Sequence, residues 1–469
     1  MKKILPYLLF AAFNLSLNAQ PAVNSLINAP GLKRANISLL VKDIETGEEI
    51  AQYRADKNTV PASTTKLVTT ATALEILGKE FRFETRLQYN GEIIDSTLYG
   101  NLYIKGSGDP TLGSAFTGNS LFLPQWVQAV KNLGIKCIEG AVIGDASLFD
   151  SEGVSPKWSW EDLGNYYASG AYGISIFDNT CRVSFQSGPE GSRPKILRTQ
   201  PEIPNLQFDN NLKAGKTQSD NAYFYGAPLE NYRSIRGRIP ANRTEFISKS
   251  DIPNPVLYAA QIFTRALTDS AIIVEKEAQA LFKPDSFSPR ITFYVQQSPP
   301  LESIIAEINH QSNNHYAEHL FRYLGLQAAT QANRENAVMV EKNYWQKNDL
   351  NISGLIVHDG CGLSPSNAIS ARFLTDLLCY EYRSANREVF IKSLPVAGES
   401  GTIKNLLKNT KLQGKVQAKS GSISGVQCYA GYIFWNEKTY AFAVLINNFS
   451  GTRKNTVKLI EQYLLSVVK

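Results

Sequence analysis

The sequence predicts a mixed α/β (α+β) protein of more than one domain, and three observations carry that prediction. The chain has 469 residues, more than a single hydrophobic core organises, so two or three domains are expected. Strand-like runs stand near both ends of the chain with helical periods beside them, which is the pattern of a mixed sheet-and-helix unit. Between them, residues 151–238 are rich in Gly, Pro, Asn and Tyr with little helical period, the texture of an inserted β-rich unit.

The elements follow in chain order. Lys2 and Lys3 precede an apolar stretch over 4–17, and Leu17-Asn18-Ala19 puts a small residue at the expected cut, so residues 1–19 read as a cleaved signal peptide. That apolar run is shorter than the roughly 20 residues of a spanning helix, and Asn14 and Ser16 interrupt it. No later stretch is long and apolar enough to span. An exported, soluble mature chain starting near Gln20, without a transmembrane anchor, is therefore expected in the periplasm or cell envelope. Residues 37–43 alternate into Glu45-Thr46-Gly47 and return over 48–53, a hairpin signal. The run opened by Ser63 reads as a helix that stops at Gly78, a position suited to a left-handed cap. Short strands at 86–89 and 97–105 come next, followed by Gly106-Ser107-Gly108-Asp109-Pro110. Helical pattern resumes over 255–267 and 301–325, where Ile304, Ile305, Ile308, Leu320 and Leu324 supply the apolar positions. Strands at 416–419, 427–435 and 439–447 and a helix to 467 close the chain.

Composition narrows the classes. A formal charge of +6 without a Lys/Arg-rich block leaves no electrostatic footprint for nucleic acid. Cys137, Cys181, Cys361, Cys379 and Cys428 are widely spaced with no CxxC pair, against a zinc ribbon or a thioredoxin-type site. Their odd number leaves at least one unpaired, and buried thiols are the reading for most of them.

Three short motifs carry chemistry. Ser63-Thr64-Thr65-Lys66 opens a helical run, and a serine three residues before a lysine puts both on one face, where the amine can activate the hydroxyl without a histidine. Chance supplies roughly two such pairs in a chain this long, and this one has three. Ser192-Arg193-Pro194-Lys195 contains a proline in a Gly/Pro-rich stretch, which argues for a loop, and Ser466-Val467-Val468-Lys469 ends at a fraying terminus. The second motif is Ser312-Asn313-Asn314, between two helical patterns where a tight turn aims both side chains into a cleft. Ser219-Asp220-Asn221 and Ser384-Ala385-Asn386 have the same spacing without that context. The third is Lys419-Ser420-Gly421 at a strand end, where Lys419 and Gly421 share a face and glycine allows close backbone approach.

In that order, SxxK, SxN and K(S/T)G resemble the penicillin-binding proteins and serine β-lactamases. Gly106-Ser107-Gly108-Asp109-Pro110-Thr111-Leu112, Asp359-Gly360-Cys361-Gly362-Leu363-Ser364, and Leu394-Pro395-Val396-Ala397-Gly398 with Gly401-Thr402 narrow it to the D-alanyl-D-alanine carboxypeptidase/endopeptidase group of the penicillin-binding protein 4 type. The resemblance runs from about residue 37 to 449. It implies a penicillin-binding transpeptidase-like domain, a five-stranded antiparallel sheet between helices, assembled from 20–84 and 296–469. It also implies an inserted domain II over 85–150 and 239–295, and a β-rich domain III over 151–238.

The same resemblance implies the roles. Ser63 attacks the carbonyl between two D-alanines, and Lys66 is its general base, which requires a neutral amine favoured by burial near Lys419. Ser312 relays the proton to the departing D-alanine, and Asn314 holds Lys66 and the substrate amide. Lys419 and Ser420 bind the terminal carboxylate, Gly421 lets the substrate approach, and the N–H groups of Ser63 and Ser422 form the oxyanion hole, each donor worth about 3 kcal/mol. Peptidoglycan peptides are the implied substrates and β-lactams the implied inhibitors, with no cofactor and no metal. Two departures stand out: Ser420 replaces the commoner threonine, and Asn313 the commoner aspartate.

Rival readings exist. His315-Tyr316-Ala317-Glu318-His319 is an H-x-x-E-H string of the inverted zinc-protease type, with His310 nearby and His358 or a distant acid needed to complete a site. Solvated helix histidines are the plainer reading. A β-lactamase-like hydrolase or a non-catalytic penicillin-binding module would retain the same serine frame. Asp145 is one acidic residue of the inserted region able to contact a substrate amine in a diamino-acid pocket; most such residues are solvated loop groups, and it is left unassigned.

Overall fold

The computed structural model describes residues 20–116, 121–284 and 289–468. The expected signal peptide, and Lys469 of the third Ser/Lys pair, lie outside the described residues.

A five-stranded antiparallel sheet joins the two ends of the chain. The hairpin strands β1 (Asn36–Asp43) and β2 (Glu49–Tyr53) pair with three late strands, β3 (Val416–Ile423), β4 (Val426–Trp435) and β5 (Lys438–Asn447), in the order β2-β1-β5-β4-β3. The long pairing is β1 on β5, running from Asn36 opposite Asn447 to Asp43 opposite Tyr440. Apolar residues cover both faces because helices cover both faces. Leu40, Cys428, Ala430 and Tyr432 pack into the core shared with α1 (Lys66–Leu77), α2 (Leu301–Gln311), α3 (Asn314–Leu324) and α4 (Arg334–Lys347). Their strand neighbours Leu39, Val41, Tyr429 and Ile433 pack oppositely against helices Gln20–Ile27 and Arg453–Val467, as the two-residue strand period requires.

The middle of the chain forms further sheets over a separate core. Gln279–Leu281, Val142–Asp145, Leu102–Lys105, Glu84–Tyr89 and Ile291–Gln297 make one of five strands. The stretch expected as one strand over 97–105 is two, Thr97–Tyr99 and Leu102–Lys105, in different sheets. Gly100 permits the break: a Cβ there would meet the Asn90 carbonyl at 2.0 Å. Residues 151–238 are strand-rich, and Thr180–Ser187 pairs with Lys195–Gln200 on one side and Arg243–Asp251 on the other, so this sheet runs past 238. Ser192 sits in the loop before Lys195–Gln200, off any helix.

Three local expectations are corrected. Gly78 has φ +80° but ψ 156°, an extended glycine conformation rather than a left-handed helical cap. His315 and His319 are buried, because α3 is enclosed on all sides rather than lying at the surface. Asp145 is buried and bonded to Lys105 at 3.1 Å and Arg290 at 2.5 Å, so it is not the solvated loop group expected of most acidic residues in the region. All five cysteines are free thiols, four of them buried.

Candidate active site

Ser63 lies on a short 3₁₀ turn, Ala62–Thr65, that runs directly into α1; tight turns of this kind are common at helix starts. The turn is strained at its entry, where Ala62 has φ +45°, a region non-glycine residues rarely occupy. Two glycines press on it. A Cβ on Gly362, itself at φ +81°, would lie 1.9 Å from the Ala62 carbonyl, and one on Gly421 would lie 2.5 Å from the Pro61 carbonyl and 3.0 Å from the Ser63 N. Only glycine lets β3 and the 360–362 loop approach the turn this closely.

Lys66 Nζ donates to Ser63 Oγ (3.0 Å), to Asn314 Oδ1 (2.7 Å) and to the Cys361 carbonyl (2.6 Å). The side chain is fully buried. Burial pushes its pKa below the ordinary value, against the opposing pull of Cys361, Asp359 and Glu318. Between α2 and α3, Ser312 takes the left-handed conformation (φ +62°, ψ 38°), which turns the chain and starts α3 at Asn314. Asn313 caps α3 by accepting from the Tyr316 N–H. Lys419 Nζ, from β3, donates to Ser312 Oγ (2.9 Å) and to the Ser420 carbonyl (2.8 Å). Burial, and then the charge of Lys66, push Lys419 well below its ordinary pKa. Ser420 Oγ donates to Thr402 Oγ1 (2.8 Å). Ser63, Ser312, Asn314 and Ser422 line one cavity of about 850 Å³, together with Gly362, Glu161 and Asp162. Of the residues expected from the sequence, these first four line the cavity, while Lys66 and Lys419 lie buried against Ser63, Asn314 and Ser312; Ser420 and Gly421 are not among the lining residues.

Some residues of this cleft had no role in the sequence reading. The Cys361 carbonyl comes from the Asp359-Gly360-Cys361-Gly362 segment, which entered the sequence reading only as a mark of the family resemblance. Asn314 Nδ2 donates to the Tyr167 carbonyl (2.9 Å), so the 151–238 region reaches the site. Arg322 on α3 holds that region through the Ala171 carbonyl and also binds Asp150 just before it, both at 2.5 Å.

The zinc reading finds no support in the geometry. His315 Nε2 is 2.6 Å from Ser175 Oγ, His319 Nδ1 is 2.9 Å from the His315 carbonyl, and the two rings meet edge to face with centroids 4.2 Å apart. Burial, and then His319, hold His315 well below its ordinary pKa, and burial holds His319 at about 3. Among the described residues the group with converging ligand atoms is Glu318, Asp359 and Cys361. Most of its carboxylate oxygens already accept hydrogen bonds: Glu318 Oε1 from two backbone N–H groups, and Asp359 from Gly362 N, Ser364 N, Asn367 and Trp158.

Residues 19–464 match the D-Ala-D-Ala carboxypeptidase 3 (S13) family. Over 447 residues the chain is 27% identical to a D-alanyl-D-alanine carboxypeptidase of an Actinomadura species, covering 92% of this chain and 81% of that protein. It is 26% identical over 422 residues to the D-alanyl-D-alanine carboxypeptidase DacB of Haemophilus influenzae, covering 89% and 86%. The crystal structure of penicillin binding protein 4 (dacB) from Haemophilus influenzae aligns with a TM-score of 0.81 at 25% identity, over 96% of this chain and 98% of that one. The same protein complexed with a β-lactam gives 0.76 at 23% identity over the same shares.

Proposed function

The chain belongs to the D-Ala-D-Ala carboxypeptidase 3 (S13) family, and we propose that it is a serine D-Ala-D-Ala carboxypeptidase acting on peptidoglycan stem peptides through an acyl-enzyme on Ser63. The observation that carries the reading is the surrounding of Lys66. A lysine amine that has lost its proton keeps two N–H bonds and one lone pair. With Asn314 Oδ1 and the Cys361 carbonyl as acceptors for the two hydrogens, the lone pair is left facing Ser63 Oγ at 3.0 Å. Burial favours that neutral form.

In this mechanism Lys66 takes the Ser63 proton as the oxygen attacks the carbonyl between the two D-alanines. The closeness of β3 to the Ser63 N–H supports the Ser63 and Ser422 amides as the oxyanion hole. Ser312, bonded to Lys419, passes a proton to the departing amine. Lys419, with Ser420 and Thr402 hydroxyls beside it, takes the terminal carboxylate. Water then hydrolyses the ester. A β-lactam presents a strained amide to the same serine and would acylate it. Export is part of the proposal, supported by the Lys2-Lys3 leader pattern and by the finding that no described helix is long and apolar enough to cross a membrane. We also take 20–84 with 296–469 as the catalytic domain, 85–150 with 239–295 as a second and 151–238 as a third. The sheet shared by both chain ends supports the first.

Endopeptidase cleavage of cross-links is a second reading, favoured by one observation. A further cavity of about 550 Å³ shares Ser312 and Asn314 with the first and has Phe116, Phe177 and Tyr166 among its lining residues, room for a second stem. A fluorescent penicillin is expected to label the mature protein covalently and to leave Ser63→Ala unlabelled; stoichiometric labelling of the variant would sink the nucleophile. Mass spectrometry of digested muropeptides separates the activities, because trimming removes one D-alanine and endopeptidase action splits a dimer.

A further inference from the structure

Behind Lys66 lies a layer of buried groups that the acylation steps do not use. Glu318 follows Asn314 by four positions on α3, on the same helix face. It is 1% exposed. Its Oε1 accepts from the Gly360 N–H at 2.8 Å and the Cys361 N–H at 2.9 Å. Its Oε2 has no hydrogen-bond partner and only Arg334 Nη2 at 3.7 Å. The backbone so gripped is the one whose next carbonyl, that of Cys361, accepts from Lys66 Nζ. Thr69 Oγ1 holds the Gly360 carbonyl at 2.9 Å, and Asp359 Oδ1 accepts from the Gly362 N–H at 2.8 Å. Every polar group of the loop from Gly360 to the Gly362 N–H thus has an assigned direction. A buried carboxylate with an unpartnered oxygen costs stability, and packing alone does not call for one here.

We propose that Glu318 is a positioning residue for Lys66: by holding the Gly360 and Cys361 N–H groups it aims the Cys361 carbonyl at the amine, and so decides where the lone pair of the amine points. This rests on Lys66 acting as the base. One helix then sets both acceptors of the amine, Asn314 directly and the Cys361 carbonyl through Glu318. The second half of the proposed role is the charge of the same carboxylate, which favours the protonated form of Lys66. Burial pushes the Glu318 carboxyl up to about 7, so the charge acts above that pH. Glu318 itself is faced by Arg334 and Glu341 of α4, by Asp359 and Cys361 of the loop and by Lys66 of α1.

The test is the rate of acylation by a fluorescent penicillin between about pH 6 and 10, with melting temperature measured alongside, for Glu318→Gln and Glu318→Ala. The amide oxygen of Glu318→Gln still accepts both N–H groups, so this variant is expected to melt near the wild type. Its rising pH limb is expected at least about half a unit lower, because the negative charge that favours protonated Lys66 is gone. Glu318→Ala releases the loop, and its acylation rate is expected to fall about 100-fold with unchanged affinity for a carboxylate-bearing peptide. An unmoved limb in Glu318→Gln overturns the proposal, and so does wild-type acylation by a folded Glu318→Ala. If Glu318→Ala does not fold, the Glu318→Gln profile decides alone. Lys66→Ala separates the two levels: wild-type acylation there defeats the base reading itself, whereas an inactive Lys66→Ala beside an unmoved Glu318→Gln limb removes only the role of Glu318.

Discussion

Lys66 and Lys419 are both fully buried, yet the two walls that hold them treat the same side chain differently. Lys66 has three acceptors, with the acids Glu318 and Asp359 close enough to pull its pKa back up. Lys419 has the Ser312 hydroxyl and its own neighbour's carbonyl, and burial and the Lys66 charge both push it down. The difference teaches how one residue type can suit two tasks in the proposed mechanism. On the first wall both hydrogens of a neutral amine find acceptors, which would leave the lone pair for proton transfer. On the second, an ammonium would lack a counter-charge, and the carboxylate of a substrate would supply it.

Three measurements break or sharpen this contrast. The largest effect is expected for Lys66→Ala, which removes the base: acylation by penicillin or peptide should fall about 10³-fold or more while affinity for the carboxylate end persists. Equal losses in binding and acylation would mean that Lys66 organises the whole cleft instead. For Lys419→Ala, kcat/KM for a peptide with a free terminal carboxylate should fall about 10- to 100-fold, as expected for one hydrogen bond to a charged group. The C-terminal amide of the same peptide should be nearly indifferent to the change. A uniform loss on both peptides would place Lys419 in the chemistry rather than in recognition.

The smallest effect concerns the acid-rich side. Glu341 is fully buried and its carboxyl is pushed up to about 8 by burial. Between its unfolded value of 4.5 and about 8 the folded chain keeps a proton that the unfolded chain has released, so this group's contribution to stability falls as pH rises through that window. Glu341→Gln does not titrate. Its melting temperature relative to the wild type should therefore increase from pH 5 to pH 8, and a pH-independent difference would show that the carboxyl is not held neutral.

Legibility followed distance along the chain. The Ser63/Lys66 pair was readable because three residues of helix are enough to bring both groups together. The hairpin, the late strands and the tight turn at Ser312 also lay in local pattern. The burial of His315 and His319 did not, since an H-x-x-E-H string on a polar-looking helix gives no sign that the 151–238 region closes over it through Ser175 and Ser169. The split of 97–105 was missed because Gly100 reads as a tolerated strand residue until the Asn90 carbonyl is placed against it. The contact of the Cys361 carbonyl with Lys66 was invisible for another reason: a backbone acceptor has no residue type to recognise.

By itself, the sequence determined which side chains can do serine chemistry and in what order they come, because those properties belong to residue type and to spacing within one turn. Tertiary structure alone decided their use. Asn314 reaches Lys66 across 248 residues and the Cys361 carbonyl across 295, distances bridged when β1 pairs with β5 and α3 packs on α1. Burial then shifts the two lysines away from their ordinary charge, and no local pattern of residues encodes the dielectric around a side chain.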